Sequence, residues 1–138
     1  MVDAAVEIDA FPAWRATLTW MLIILVETLH GMARIIFIAP VLGDLRARQL
    51  GVFVGCVLIF FIAWLTARWM GARTRRTQWL VGAWWVALTL GFELALGRAL
   101  GASWDRILED YNPARGGFMI LGMAFLFFAP MLAARWRR

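Results

Sequence analysis

The chain has 138 residues, of which 63% are hydrophobic and only 17% charged, and its mean hydropathy is +0.74. Soluble domains are about 45–50% apolar and about 25% charged, so this balance excludes an ordinary soluble domain and a disordered tail. The net charge is +5, but all fourteen basic residues are Arg and they sit between apolar runs. That placement fits the flanks of membrane spans and argues against nucleic acid as a partner.

The expected fold is all-α: an integral membrane bundle of four transmembrane helices, with a short interfacial helix between the third and fourth, in one domain over 1–138. A span needs about 20 mostly apolar residues at about 1.5 Å of rise each. The N-terminus, Met1-Val2-Asp3-Ala4-Ala5-Val6-Glu7-Ile8-Asp9, is acidic. It lacks the basic region of a cleaved signal peptide, so the first apolar run is expected to stay as a span. That span covers 13–38, with Pro12 in its first turn and Pro40 marking its far end. The second covers 50–67 and opens with Gly51-x-x-x-Gly55, which permits close helix approach within the bundle or between protomers. Cys56 is the lone cysteine and reads as a small packing residue. The third span covers 78–97. The fourth covers 117–134, with Pro130 expected to kink its last turn.

Between the third and fourth spans, Ser103 is placed to cap a short helix. Trp104, Ile107, Leu108 and Tyr111 follow at i, i+3, i+4 and i+7, an apolar stripe. Asp105, Arg106, Glu109 and Asp110 take the remaining surface, with Arg106 and Asp110 an i,i+4 pair, and Asn112-Pro113 ends the pattern. The segment is either an amphipathic connector in the interface or a lid, formed by Trp104, Asp105, Asp110, Tyr111 and Asn112, over a site.

Orientation follows from the Arg flanks. Eight Arg fall on the side shared by the two termini and the second loop, against five on the other side. The excess places both termini in the cytoplasm. Trp14, Trp64, Trp69, Trp79 and Trp136 fall at the same span ends, as an aromatic belt would. Absence of Lys beside abundant Arg, Ala and Gly points to a GC-rich coding sequence, hence a bacterial inner membrane.

The residues a bilayer should exclude carry the functional signal. A charged side chain at the centre of a span costs about 2.5–3.5 kcal/mol on insertion scales. Glu27, His30 and Arg34 stand at i, i+3 and i+7, so they share one helix face with Gly31. Glu27 lies roughly 20 Å along the helix from Trp14, near the midplane, with His30 and Arg34 closer to the outer surface. In the third span Glu93 follows Thr89 by one turn, and Arg98 comes five residues later. These five ionisable side chains fall at one depth beneath the candidate lid and are expected to form a polar site. The competing reading is structural: Glu27 or Glu93 neutralises Arg34, Arg98 snorkels, and His30 is a neutral imidazole making one hydrogen bond.

Glu27-x-x-His30 has the spacing of di-iron carboxylate bundles, but those need a second such motif and the chain has one His, so no metal is expected. There is no Gly-x-Ser-x-Gly, and Ser103 is the only serine, so nucleophilic catalysis is poorly supported. Four spans with a membrane Glu in the first resemble the architecture of small multidrug exporters; His30 and Arg34 depart from that pattern. The leading expectation is a site open to the outer side that binds or transports a small polar or anionic solute, or a lipid headgroup, coupled to a proton on Glu27 and His30. One alternative is an accessory subunit of a respiratory or photosynthetic complex, with His30 ligating haem or a chlorophyll-type pigment. Another is an intramembrane enzyme acting on a lipid, with His30 as general base. The expected partners are the lipid bilayer and a homo-oligomer or larger membrane complex.

Overall fold

The computed structural model describes residues 9–137, so the acidic stretch 1–8 and Arg138 lie outside the described residues. The described residues form helices and no strands. They are α1 (Ala13–Ala33), a π-helical turn (Arg34–Ile38), α2 (Ala39–Leu42), α3 (Asp44–Met70), α4 (Arg75–Ala99), α5 (Trp104–Glu109), a 3-10 turn (Pro113–Arg115) and α6 (Met119–Trp136). Four continuous helical stretches are long and apolar enough to cross a membrane: Ala13–Leu42, Asp44–Met70, Arg75–Ala99 and Met119–Trp136.

The first helix does not stop before Pro40, as the sequence suggests. It widens into a π turn in which the Ala39 N–H donates to the carbonyl of Arg34, five residues back. Pro40 then sits in the first turn of α2, where its missing N–H and fixed φ are tolerated. Gly43, at φ 84, makes the actual break, a conformation that costs Gly little. The second helix also outruns its apolar core, starting at Asp44 rather than 50 and ending at Met70 rather than 67. Asp44 and Arg48 pair across one turn, Arg48 Nε to Asp44 Oδ2 at 3.0 Å, and an i,i+4 pair of opposite charge supports the extra turn. Gly71, at φ 73, caps this helix and donates to the Ala67 carbonyl. Thr74 caps α4, its hydroxyl accepting the Thr77 N–H at 3.2 Å. The fourth long helix starts at Met119 rather than 117, after the turn at Gly116. Pro130 lies buried inside it, over a turn before its end.

The helices close into a ring in which α1 and α6 each pack against both α3 and α4. Side-chain contacts give the directions. Arg15 meets Trp69 while Glu27 meets Gly55, so α1 and α3 run antiparallel. Gly82 meets Phe127 in the antiparallel α4 and α6. The α1–α4 and α3–α6 pairs run parallel, as Ala16 with Trp85, Trp20 with Thr89, Val52 with Gly122 and Phe60 with Trp136 require.

Three indoles join α1 to α4. Trp85 is fully buried and donates Nε1–H to the Ala16 carbonyl at 2.9 Å. Trp20 donates to Thr89 Oγ1 at 3.0 Å, and Trp84 to Thr17 Oγ1 at 2.9 Å. Around them pack Ile23, Ile59, Ile62, Val81 and Leu126, with Ala16, Ala63, Ala129 and Ala133 where backbones come close. At Gly82 a Cβ would collide with the carbonyl of Phe127. The outer surface is strongly apolar: Val41, Phe37 and Val57 are 80%, 68% and 68% exposed. Such a continuous apolar exterior needs a cover other than water.

At one end of the ring, Arg15 donates to the Trp69 carbonyl at 2.8 Å and lies over the rings of Trp14 and Trp69. Arg137 lies over Trp64, 4.2 Å from its centroid. Here the Asp9 carboxylate accepts the N–H groups of Arg73 and Thr74 at 2.8 and 3.0 Å. Burial acts to raise the Asp9 carboxyl, but the donors of Thr74, Arg73 and Thr77 outweigh it and hold it below the usual Asp value.

Candidate functional site

The stripe of α1 lies against the N-terminal half of α3. Gly51 and Gly55 form the surface it rests on. A Cβ at Gly55 would stand 2.9 Å from Glu27 Oε2, and one at Gly51 would stand 2.9 Å from Arg34 Cδ and 3.7 Å from His30 Cε1. The Gly-x-x-x-Gly spacing thus admits three long polar side chains, where the same motif in other helices admits a second backbone. Gly31, on the α1 stripe, has open space where its Cβ would be.

Glu27 and His30 are within reach of each other, His30 Nδ1 to Glu27 Oε2 at 3.5 Å. Their side chains retain only 26% and 19% of their exposure. Glu27 Oε1 is buried with no hydrogen-bond partner. Arg34 Nη1 is also buried without one, and among the described residues no carboxylate comes within ion-pair distance of Arg34. The neutralising contact that the structural reading requires of Glu27 or Glu93 is therefore missing from this arrangement. His30 and Arg34 border an open crevice of about 270 Å³ whose other lining residues are Ala33, Phe37, Ile38, Ala47, Leu50, Gly51 and Val54. The π turn begins at Arg34, and such turns recur at functional sites.

Glu93 of α4 is partly buried and lies within electrostatic reach of both Glu27 and Asp110. Arg98 does not join the stripe. It is exposed, donates to the Ala102 carbonyl at 3.2 Å and lies over the Trp104 ring at 5.0 Å.

The loop carrying α5 is tied down at this end by the expected Arg106–Asp110 pair and by Arg48 and Gln49, to which the sequence reading gave no such role. Arg48 of α3 pairs with Asp110 as well as Asp44, and Arg106 Nη1 reaches Asp110 Oδ1 at 3.3 Å. Gln49 donates to the Gly116 carbonyl at 3.0 Å. Asp44 and Arg48 were legible as an i,i+4 pair; their partner across 62 residues was not. Ser103 caps α5, its hydroxyl accepting the Arg106 N–H at 3.2 Å, and Asn112 Oδ1 accepts the Ala114 N–H at 3.0 Å. Of the expected stripe only Ile107 is buried, against Gly97; Trp104 and Leu108 are 52% and 56% exposed, and Asp105 is exposed. Tyr111 is half-buried and its hydroxyl has no partner. Burial, then the charges of Glu93 and Asp110, push its phenol up to about 12. It borders an apolar crevice of about 410 Å³ between α4 and α6.

Glu27, His30 and Arg34 therefore form one cluster. Glu93 lies within electrostatic reach of Glu27, Tyr111 and Asp110, and Arg98, Trp104, Asp105 and Asn112 lie at the periphery. Among the described residues no group of three or more His, Cys, Asp and Glu is placed to hold a metal ion. No family model matches the chain, nor does any curated protein or solved structure. The cluster itself offers an acid–base pair, a guanidinium with no ion pair among the described residues, and an apolar crevice.

Proposed function

We propose that the chain is a multi-pass protein of a bacterial inner membrane with both termini in the cytoplasm. In this reading the Glu27–His30–Arg34 cluster is a binding site reached from the outer side, at which a small polar or anionic solute or a lipid headgroup is bound or moved in exchange with a proton. The observation that carries it is the seating of three ionisable side chains on Gly51 and Gly55, with Glu27 Oε1 and Arg34 Nη1 buried and unpartnered. Buried polar atoms are costly when unsatisfied, and the pairing of two such open atoms, one acidic and one basic, on the same helix face supports a partner from outside the chain.

The roles follow from the chemistry of each group. Glu27 and His30 share a hydrogen-bond axis, so a proton can pass onto the pair or leave it with little movement. Arg34 supplies a planar fork of N–H donors. Glu93 places a second carboxylate within electrostatic reach of the first. The loop held by Arg48 and Asp110 covers the end at which solute would enter. The excess of Arg at the opposite end, where Trp14, Trp69, Trp64 and Trp136 also gather, supports the orientation.

The test is proton uptake into proteoliposomes loaded with a pH dye, driven by gradients of candidate solutes. Uptake should fall at least tenfold in Glu27→Gln and in His30→Ala. Undiminished uptake in both variants would remove the proton role from this pair.

A further inference from the structure

The guanidinium of Arg34 has three neighbours that restrict what can answer its charge. Glu27 is engaged with His30 at 3.5 Å, and no ion pair reaches Arg34 among the described residues. Gly51 holds the Arg34 side chain against α3, where a Cβ would press on Cδ at 2.9 Å. Beside it lies an open crevice of about 270 Å³ bordered by Phe37, Ile38, Leu50 and Val54, all exposed on the outer face. It is slightly smaller than the roughly 300–1,000 Å³ usual for ligand sites.

From this placement we infer that the ligand of the cluster is an amphipathic anion: a carboxylate or phosphate that Arg34 binds through its fork of N–H donors, attached to a short apolar body that lies in the crevice. This rests on the reading of the cluster as a binding site and narrows it to one ligand chemistry. A guanidinium in an apolar crevice discriminates strongly by charge. It gains a charge-assisted, two-pronged contact with an oxyanion that a neutral analogue of the same shape cannot offer. The apolar border of the crevice gives the apolar body of such a ligand a surface that a small, strongly hydrated inorganic anion cannot use. The same chemistry is presented by a free medium-chain carboxylate and by the phosphate of a lipid headgroup lying beside its own acyl chains.

The full chain in phosphatidylcholine nanodiscs provides the test, with thermal unfolding as readout, because a ligand bound to the folded state raises Tm. The probes are octanoate, its neutral counterpart octanamide, and phosphatidate added to the disc. Octanoate should raise Tm at neutral pH and octanamide should not. The apparent affinity should fall at least tenfold in Arg34→Gln, and be partly kept in Arg34→Lys. Should Arg34→Gln fail to fold, Gly51→Ala takes its place: it keeps every charge but displaces Arg34 from its seat, and should also weaken octanoate at least tenfold. A response to phosphatidate alone, lost in the same variants, identifies the lipid headgroup as the source of the anion. Equal effects of octanoate and octanamide, no effect of either anion, or an unaltered response in Gly51→Ala would overturn the inference. Proton uptake is scored separately. Anion binding without uptake leaves this inference standing and removes the coupling; uptake with no preference for anions does the reverse.

Discussion

The two halves of α1 are built differently. From Ala13 to Ile23 the helix is locked: Ala16, Thr19 and Ile23 are buried, and three indole N–H groups bridge it to α4. Beyond Ile23 none of its residues is fully buried, and its polar side chains rest on glycines. The first half meets large rigid rings whose indole N–H groups find acceptors, and leaves only the small Thr19 hydroxyl without a partner. The second meets absent side chains and leaves a carboxylate oxygen and a guanidinium nitrogen open. Packing energy is thus concentrated at the Trp-rich end, which lets the other end carry polar groups at a cost that the whole bundle tolerates.

That contrast can be broken most directly at Trp85. Trp85→Ala removes a fully buried indole and orphans the Ala16 carbonyl, and should cost about 3–5 kcal/mol in reversible unfolding from mixed micelles. Leu29→Ala, at a 53% exposed position in the second half, should stay within about 0.5 kcal/mol. Comparable losses in the two variants would erase the distinction.

The glycines sharpen it next. Gly82→Ala sets a methyl against the Phe127 carbonyl, a backbone atom that cannot swing aside, and should destabilise by about 1–3 kcal/mol. Gly31 faces open space, so Gly31→Ala should gain up to about 1 kcal/mol from helix propensity alone. A loss at Gly31 would mean that the second half is packed after all.

The smallest effect is spectroscopic. Tyr111 is the only tyrosine, so tyrosinate absorbance titrates one site, with an expected midpoint of about 12. Glu93→Gln removes one of the two charges that oppose its ionisation and should lower that midpoint; an unchanged midpoint would separate Glu93 from the loop. Because folding raises this pKa above the ordinary value of about 10, the neutral phenol favours the folded state. Its contribution is complete below about pH 10 and is lost as pH rises through the folded midpoint.

Much of this was legible in the residues. Four apolar runs of about 20 residues mark four long helices because a helix that long and that apolar has few other uses. The i, i+3, i+7 spacing fixes Glu27, His30 and Arg34 on one face by geometry alone. Ser103 is read correctly as the cap of α5 because capping is local, whereas the Asn112 side chain that accepts the Ala114 N–H was read only as the end of the pattern. What was hidden depends on which helix faces which. Gly51 and Gly55 announce a close approach without naming its occupant. Arg48 meets Asp110 only once the ring is closed, and Trp20, Trp84 and Trp85 look like lipid-facing aromatics until α4 is set beside α1. Helix ends were missed where charged residues continue a helix past its apolar run, at Asp44 and Arg75. Pro40 was misread because a single-sequence pattern carries no sign of a widened turn.

The π turn at Arg34–Ile38 gives the chain one residue more than a regular helix would need over that stretch. Each α-helical residue advances the azimuth by about 100°. A wider π turn still closes in about one revolution, so deleting one residue between Ile35 and Ile38 would restore ordinary winding and leave Pro40 and Gly43 in nearly their present phase. The surplus residue is absorbed locally, as a widened turn that opens beside the Arg34 side chain.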